Sequence, residues 1–259
     1  MKRRNFIALV GGAAAWPLAA RAQQPVMPVV GFINLGVADA SANRVAAFRK
    51  GLSEAGYAEG QNVIVEYHWL EGHYERLPAL MTDLIQRRVA VIATPGSTEA
   101  SLAAKNATTT IPIVFGVAED PVALGIVVSL ARPGGNATGI NSFSVEIDAK
   151  RLGLMHELLP NATRFAVLVN PANATPAEST SKALKEAARA LGLDALFFTA
   201  STPAEIDAAF VAFGRERADA LFLGGDAFFF SRAVQFATLA VRDRMRRVML
   251  PARWSKPAC

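Results

Sequence analysis

The stretch IPIVFGVAEDPVALGIVVSLARPGGNATGINSF, residues 111–143, decides the fold. Ile111 to Phe115 is a short apolar run of the kind that fills a strand covered on both faces. Gly116, Glu119 and Asp120 follow where that strand should end, and Pro121 can open a helix, whose first turn needs no N–H from it. Arg132 to Asn136 (RPGGN) is a dense turn signal, and Ala137 to Phe143 is a second apolar step away from it. Strand, acidic loop, helix, turn and strand make one unit of an open α/β sheet. Ligands bind such sheets beyond the carboxyl ends of the strands, where Asp120 lies.

The same unit repeats outward in both directions. Upstream, Val29 to Ile33, Asn62 to Tyr67 and Val89 to Ala93 read as strands. Helices fall between them, capped by Ser41 or Asn43 and closed by Gly56, then from Tyr74 to Arg88, then from Ser97 or Thr98 through Asn106. Downstream, helices at 147–158, 176–191, 203–213 and 229–245 alternate with strands at 164–169, 193–198 and 218–223. Two similar series in tandem predict an α/β protein of two lobes, at 28–142 and 143–250, with parallel sheets covered by helices on both faces. A cleft between the lobes would be walled by the loops that follow the strands.

Composition narrows the function. Apolar residues make up 52% of the 259, ample for packed cores. The net charge of +5 is carried by the ends: residues 1–22 hold four basic residues and no acid, residues 242–259 hold six against one, and the body is mildly acidic. No basic face with interleaved aromatics is present, which argues against nucleic acid as a partner. Cys259 is the sole cysteine, so neither an intrachain disulfide nor a thiolate metal cluster can form. His68 and His73 are not at a helical metal spacing and read as surface or loop residues; no metal or cofactor is expected. Met1 to Ala22 has a basic start, an apolar middle and an Ala20-Arg21-Ala22 cleavage pattern. Arg3 and Arg4 before Asn5-Phe6-Ile7 resemble a twin-arginine export signal, against the simpler reading of a general secretory leader. The expected mature protein is periplasmic, begins at Gln23 and has no membrane anchor.

Candidate binding residues collect at strand ends. Thr94, Gly96 and Ser97 would offer hydroxyls and backbone N–H groups at a helix N-terminus, a setting that attracts a carboxylate or phosphate; Ser97 or Thr98 could equally be a simple cap. Asp120 could pair with a ligand amine or cap a helix. Asn170 and Asn173 could reach across the cleft or build an Asn-Pro turn. Asp226, after Gly224 and Gly225, could be a cleft acid or another cap. No G-x-S-x-G elbow or P-loop occurs, and Gly134 to Gly139 precedes a strand-like step, which makes a poor phosphate cradle. No catalytic constellation emerges.

Val117 to Val122 (VAEDPV), Arg132 to Gly139 (RPGGNATG), Lys150 to Leu152 (KRL) and Asn170 to Asn173 (NPAN) carry a resemblance to bacterial ABC-transporter substrate-binding proteins of the tryptophan- and tyrosine-binding type. The leader, Ala47 to Leu52 and Ala103 to Thr108 fit the same family, so that the likeness spans about residues 1–245. The resemblance implies a type I periplasmic-binding fold, a monomer without enzymatic activity, and an amino acid or related compound held between lobes that close by a hinge motion. It implies delivery to an ATPase-driven permease in the inner membrane. By position it implies a pocket of Thr94, Gly96, Ser97 and Asp120 on the first lobe, with Leu35 and Gly36 on the loop of its first strand, and Asn170 and Asp226 on the second. Family members run on to complete the first lobe, whereas this chain turns basic after Arg244 and ends at Cys259. The expectation is therefore a C-terminal truncation with an aberrant tail at 251–259. The alternatives are an exported α/β hydrolase-type enzyme and a truncated remnant that no longer binds.

Overall fold

A computed structural model describes residues 27–143, 147–243 and 248–249. The export signal at 1–22 and the tail at 251–259 lie outside the described residues.

The first lobe is a five-stranded parallel sheet in the order β2-β1-β3-β4-β5. Its strands are β1 (Val29–Asn34), β2 (Ile64–Trp69), β3 (Val91–Thr94), β4 (Ile113–Val117) and β5 (Ala137–Asn141). Helices α1 (Ala42–Glu54), α2 (Leu77–Gln86) and α3 (Thr98–Ala107) make the crossovers. Alternation sends β1 side chains to both faces. Phe32 packs with Phe48, Tyr67 and Trp69 on one side, while Ile33 joins Leu84, Ile92 and Ile113 on the other.

The second lobe repeats the plan with a four-stranded parallel sheet, β7-β6-β8-β9. Here β6 is Arg164–Val169, β7 Asp194–Thr199, β8 Ala220–Leu223 and β9 the short Val248–Met249. Around it lie α4 (Asp148–Leu158), α5 (Ala174–Leu191), α6 (Pro203–Arg215), α7 (Ala227–Ser231) and α8 (Ala233–Arg242). Phe165 and Val167 face α4 and α5, and Ala166 and Leu168 face a cluster containing Phe210, Phe213, Phe229 and Phe236. Both sheets are thus covered twice, as the near-continuous apolar strands require. No helix among the described residues is long and apolar enough to cross a membrane.

The structure departs from the sequence reading in particular places. Strand β4 begins at Ile113, not Ile111, because Pro112 has no N–H to give to a ladder; its carbonyl accepts from Ile92 N at 2.9 Å. The helix expected from Pro121 is a run of turns that ends at Gly125, whose φ of +70° breaks the helical path. The long last helix is split at Arg232, whose φ and ψ of −106° and 19° are not helical. His68 lies within β2 rather than in a loop, half-buried beside Glu66. The two-residue β9 had no signal in the sequence.

Two glycines make the packing testable. Gly139 pairs with Phe115 across β4 and β5, and a Cβ there would run into the Phe115 carbonyl oxygen and ring. Gly153 sits in α4 with nothing within 4 Å of an added Cβ. Gly139→Ala should cost about 2 kcal/mol or more in denaturant unfolding. Gly153→Ala should gain about 0.5–1 kcal/mol.

Candidate binding site between the lobes

Each sheet has a topological switch point, where the strand order reverses and neighbouring loops diverge to leave a crevice. In the first lobe it lies between β1 and β3, in the second between β6 and β8. The loops at these points are Leu35-Gly36, Pro95 to Ser97, Asn170 to Asn173 and Gly224 to Asp226. The two sets meet. Ala227, the first residue of α7, packs on the first-lobe core, and the ring of Phe228 lies 3.4 Å from where a Cβ on Gly72 would stand.

Asp226 is the centre of that meeting. It is 4% exposed and caps α7, accepting from Phe229 N at 3.1 Å. Its Oδ1 also accepts from Asn170 Nδ2 at 3.0 Å, and Oδ2 from Asn173 Nδ2 at 3.0 Å. The fourth donor comes from the other lobe, Tyr74 Oη at 2.8 Å. Burial, reinforced by the neighbouring carboxylate, pushes the Tyr74 hydroxyl far above its ordinary range, so it stays a donor. A second inter-lobe bond runs from Thr175 N to Glu99 Oε1 at 2.9 Å.

The expected first-lobe residues have different surroundings. Thr94 is fully buried, with its hydroxyl 2.8 Å from Ser101 Oγ, which in turn donates to Ser97 O at 2.6 Å. Ser97 caps α3 by accepting from Ala100 N at 3.2 Å. The N–H groups of Gly96 and Ser97 both donate to Gly116 O, at 2.8 and 3.0 Å, so this turn is held by the sheet. Gly96 needs its φ of +75°, and a Cβ on Gly116 would stand 2.8 Å from Gly96 N; the two glycines let turn and strand touch. Leu35 is a core residue whose carbonyl accepts from Gly72 N at 2.7 Å. Gly36 N donates to Asn34 Oδ1 at 2.7 Å, and Gly36 faces Ala227. Asp120 is half-exposed and turns back to accept from Val122 N at 2.8 Å. The structure thus brings Gly36, Asn170 and Asp226 to one junction, while the Asp120 carboxylate is engaged within its own turn.

Tyr74, Glu99, Thr98 and Glu119 were not among the expected binding residues. Glu119 is 6% exposed and accepts from Thr98 Oγ1 at 2.6 Å. Burial raises its pKa, against the hydroxyl and backbone N–H groups that lower it. The signal was in the alternation of β4. Ile113, Phe115, Val117 and Glu119 are all buried, so the two-residue period runs past the strand and turns Glu119, not Asp120, inward.

Tyr74→Phe keeps the ring and deletes the inter-lobe donor. It should lower unfolding free energy by about 1.5–3 kcal/mol, the range for a hydrogen bond to a charged group. Asp226→Asn should cost more, because one end of the amide becomes a donor facing donors. Denaturant unfolding of the two variants checks the order.

Comparison with known proteins places these features in a lineage. A family model described as ABC transporter substrate binding protein matches residues 30–247. A tyrosine-binding protein of Clostridioides difficile (strain R20291) is 32% identical over 123 residues, 48% of this chain and 35% of the relative. The chain therefore spans about a third of the length of that curated relative. The crystal structure of a conserved domain protein from Vibrio cholerae superposes with a TM-score of 0.77 at 26% identity, covering 90% of this chain and 77% of that one. An ABC domain from Streptococcus pneumoniae, solved in complex with L-Trp, gives a TM-score of 0.71 at 19% identity, covering 88% and 76%. With two parallel sheets meeting at their switch points and a family match over nearly all the described residues, the chain belongs to the ABC transporter substrate-binding proteins.

Proposed function

We propose that this protein captures an amino acid or a related small compound between its lobes and delivers it to an inner-membrane permease. The observation that carries the reading is the junction itself. Loops from both switch points face each other, and buried polar groups from both lobes converge on Asp226. In open α/β sheets that is the place for a ligand. The ligand class is supported by the relative named for tyrosine and by the neighbour solved with L-Trp. Gly36, Gly96, Ser97, Asn170 and Asp226 would shape the pocket walls, with Leu35 and Thr94 holding the loops from beneath and Asp120 at the rim. The basic, apolar leader supports a periplasmic location, with the protein acting as a binder and not as an enzyme.

A thermal-shift screen of the purified chain against the standard amino acids tests this. A ligand that binds only the folded state stabilises it by about 2.7 kcal/mol at a hundred times its Kd, so the melting temperature should rise with concentration. A cooperative melt that no amino acid shifts at millimolar concentration would contradict the ligand class.

A further inference from the structure

We propose that Glu119 receives the ammonium group of the ligand and that Arg44 receives its carboxylate, so that the site reads a zwitterionic α-amino acid. The assignment rests on the amino-acid reading above and adds the residues that would recognise the two charges. Glu119 Oε2 is held by the Thr98 hydroxyl, but Oε1 is buried with no hydrogen-bond partner. A buried carboxylate oxygen without a donor is costly, and structures keep few of them. The donor it lacks would sit at the first turn of α3, beside the inter-lobe bond made by Glu99.

The second lobe has a matching buried acceptor. Asn173 donates to Asp226 through Nδ2, while its Oδ1 is buried without a partner. Each lobe therefore presents an acceptor in need of a donor. An ammonium group carries three N–H donors and a positive charge, which suits a carboxylate and an amide oxygen together.

Arg44 supplies the opposite sign at the same turn. Its guanidinium lies over Gly96, so close that a Cβ there would stand 2.9 Å from Nη2 and 3.3 Å from Nη1. It forms no ion pair among the described residues, and it is not paired with Glu119. Gly96 and Thr98 are two residues apart, so the guanidinium and the carboxylate flank one turn. A guanidinium above the positive end of α3 favours a carboxylate. Separated opposite charges of this kind complement the two ends of an amino-acid backbone.

Isothermal titration calorimetry of the purified chain tests the assignment. The probes are L-tryptophan, L-tyrosine and L-leucine, each beside its des-amino acid: 3-(indol-3-yl)propanoate, 3-(4-hydroxyphenyl)propanoate and 4-methylpentanoate. The expected result is that an amino acid binds and its des-amino partner binds about tenfold more weakly or worse, the scale of a lost hydrogen bond to a charged group. Glu119→Gln should lose a similar factor for the amino acid. Its ligand-free melting temperature should be no lower than that of the parent, since burial penalises the charge that is removed more than its hydrogen bonds favour it. Protonating Glu119 removes the charge that holds the ammonium, so parent affinity should fall as pH drops through the raised pKa of this carboxyl. Equal binding of an amino acid and its des-amino partner, or full affinity in Glu119→Gln, would overturn the assignment and leave the binding-protein reading intact. Binding of the des-amino acids alone would overturn the assignment as well. No binding of any probe by a chain that melts cooperatively would overturn the amino-acid reading and the assignment with it.

Discussion

Four hydrogen-bond donors converge on the carboxylate of Asp226, and one of them belongs to the other lobe. A carboxylate taken out of water must recover its solvation from protein dipoles or lose its charge. Here the two asparagines of the loop after β6 and the first turn of α7 recover part of it, and Tyr74 supplies the rest. The position of the two lobes is therefore coupled to the solvation of one buried acid. Ala227 and Phe228 follow Asp226 directly and carry apolar contact to the first lobe, so polar and apolar contacts close the same junction.

That junction depends on backbone approaches that only glycine permits. Gly116 lets the Pro95–Gly96 turn lie on β4, and the carbonyl of Gly116 then takes both N–H groups at the start of the turn. With those donors used, the turn that leads into α3 is fixed to the sheet. The two N–H groups that precede this helix, which look free in the sequence, are already engaged by the neighbouring strand.

Most of the architecture was legible from periodicity and punctuation. The apolar runs at β1, β6 and β7 lie within a residue of where they were read, because parallel strands buried on both faces have no polar alternation to blur them. Gly192, with φ of +69°, ends α5 just past residue 191, where the helix was read to stop. What escaped was set by single residues. Pro112 moved the start of β4 by two positions, and the inward-facing acid is Glu119 instead of Asp120 because the two-residue alternation of Ile113, Phe115 and Val117 continues past the strand end. The strand-end location of the site was readable, and Asp226 and Asn170 were named from it. Tyr74 was not, because it lies 152 residues from its partner and only the meeting of the lobes brings them together. The split of the last helix at Arg232 likewise had no local signal.

The most direct test is the coupling across the junction. A double-mutant cycle with Tyr74→Phe and Asp226→Ala, measured by denaturant unfolding, isolates the interaction of the two side chains from the rest of their surroundings. A coupling energy of about 1–3 kcal/mol is the result expected if the buried carboxylate ties the lobes together. Additive effects, with coupling near zero, would contradict the claim that this contact organises the junction.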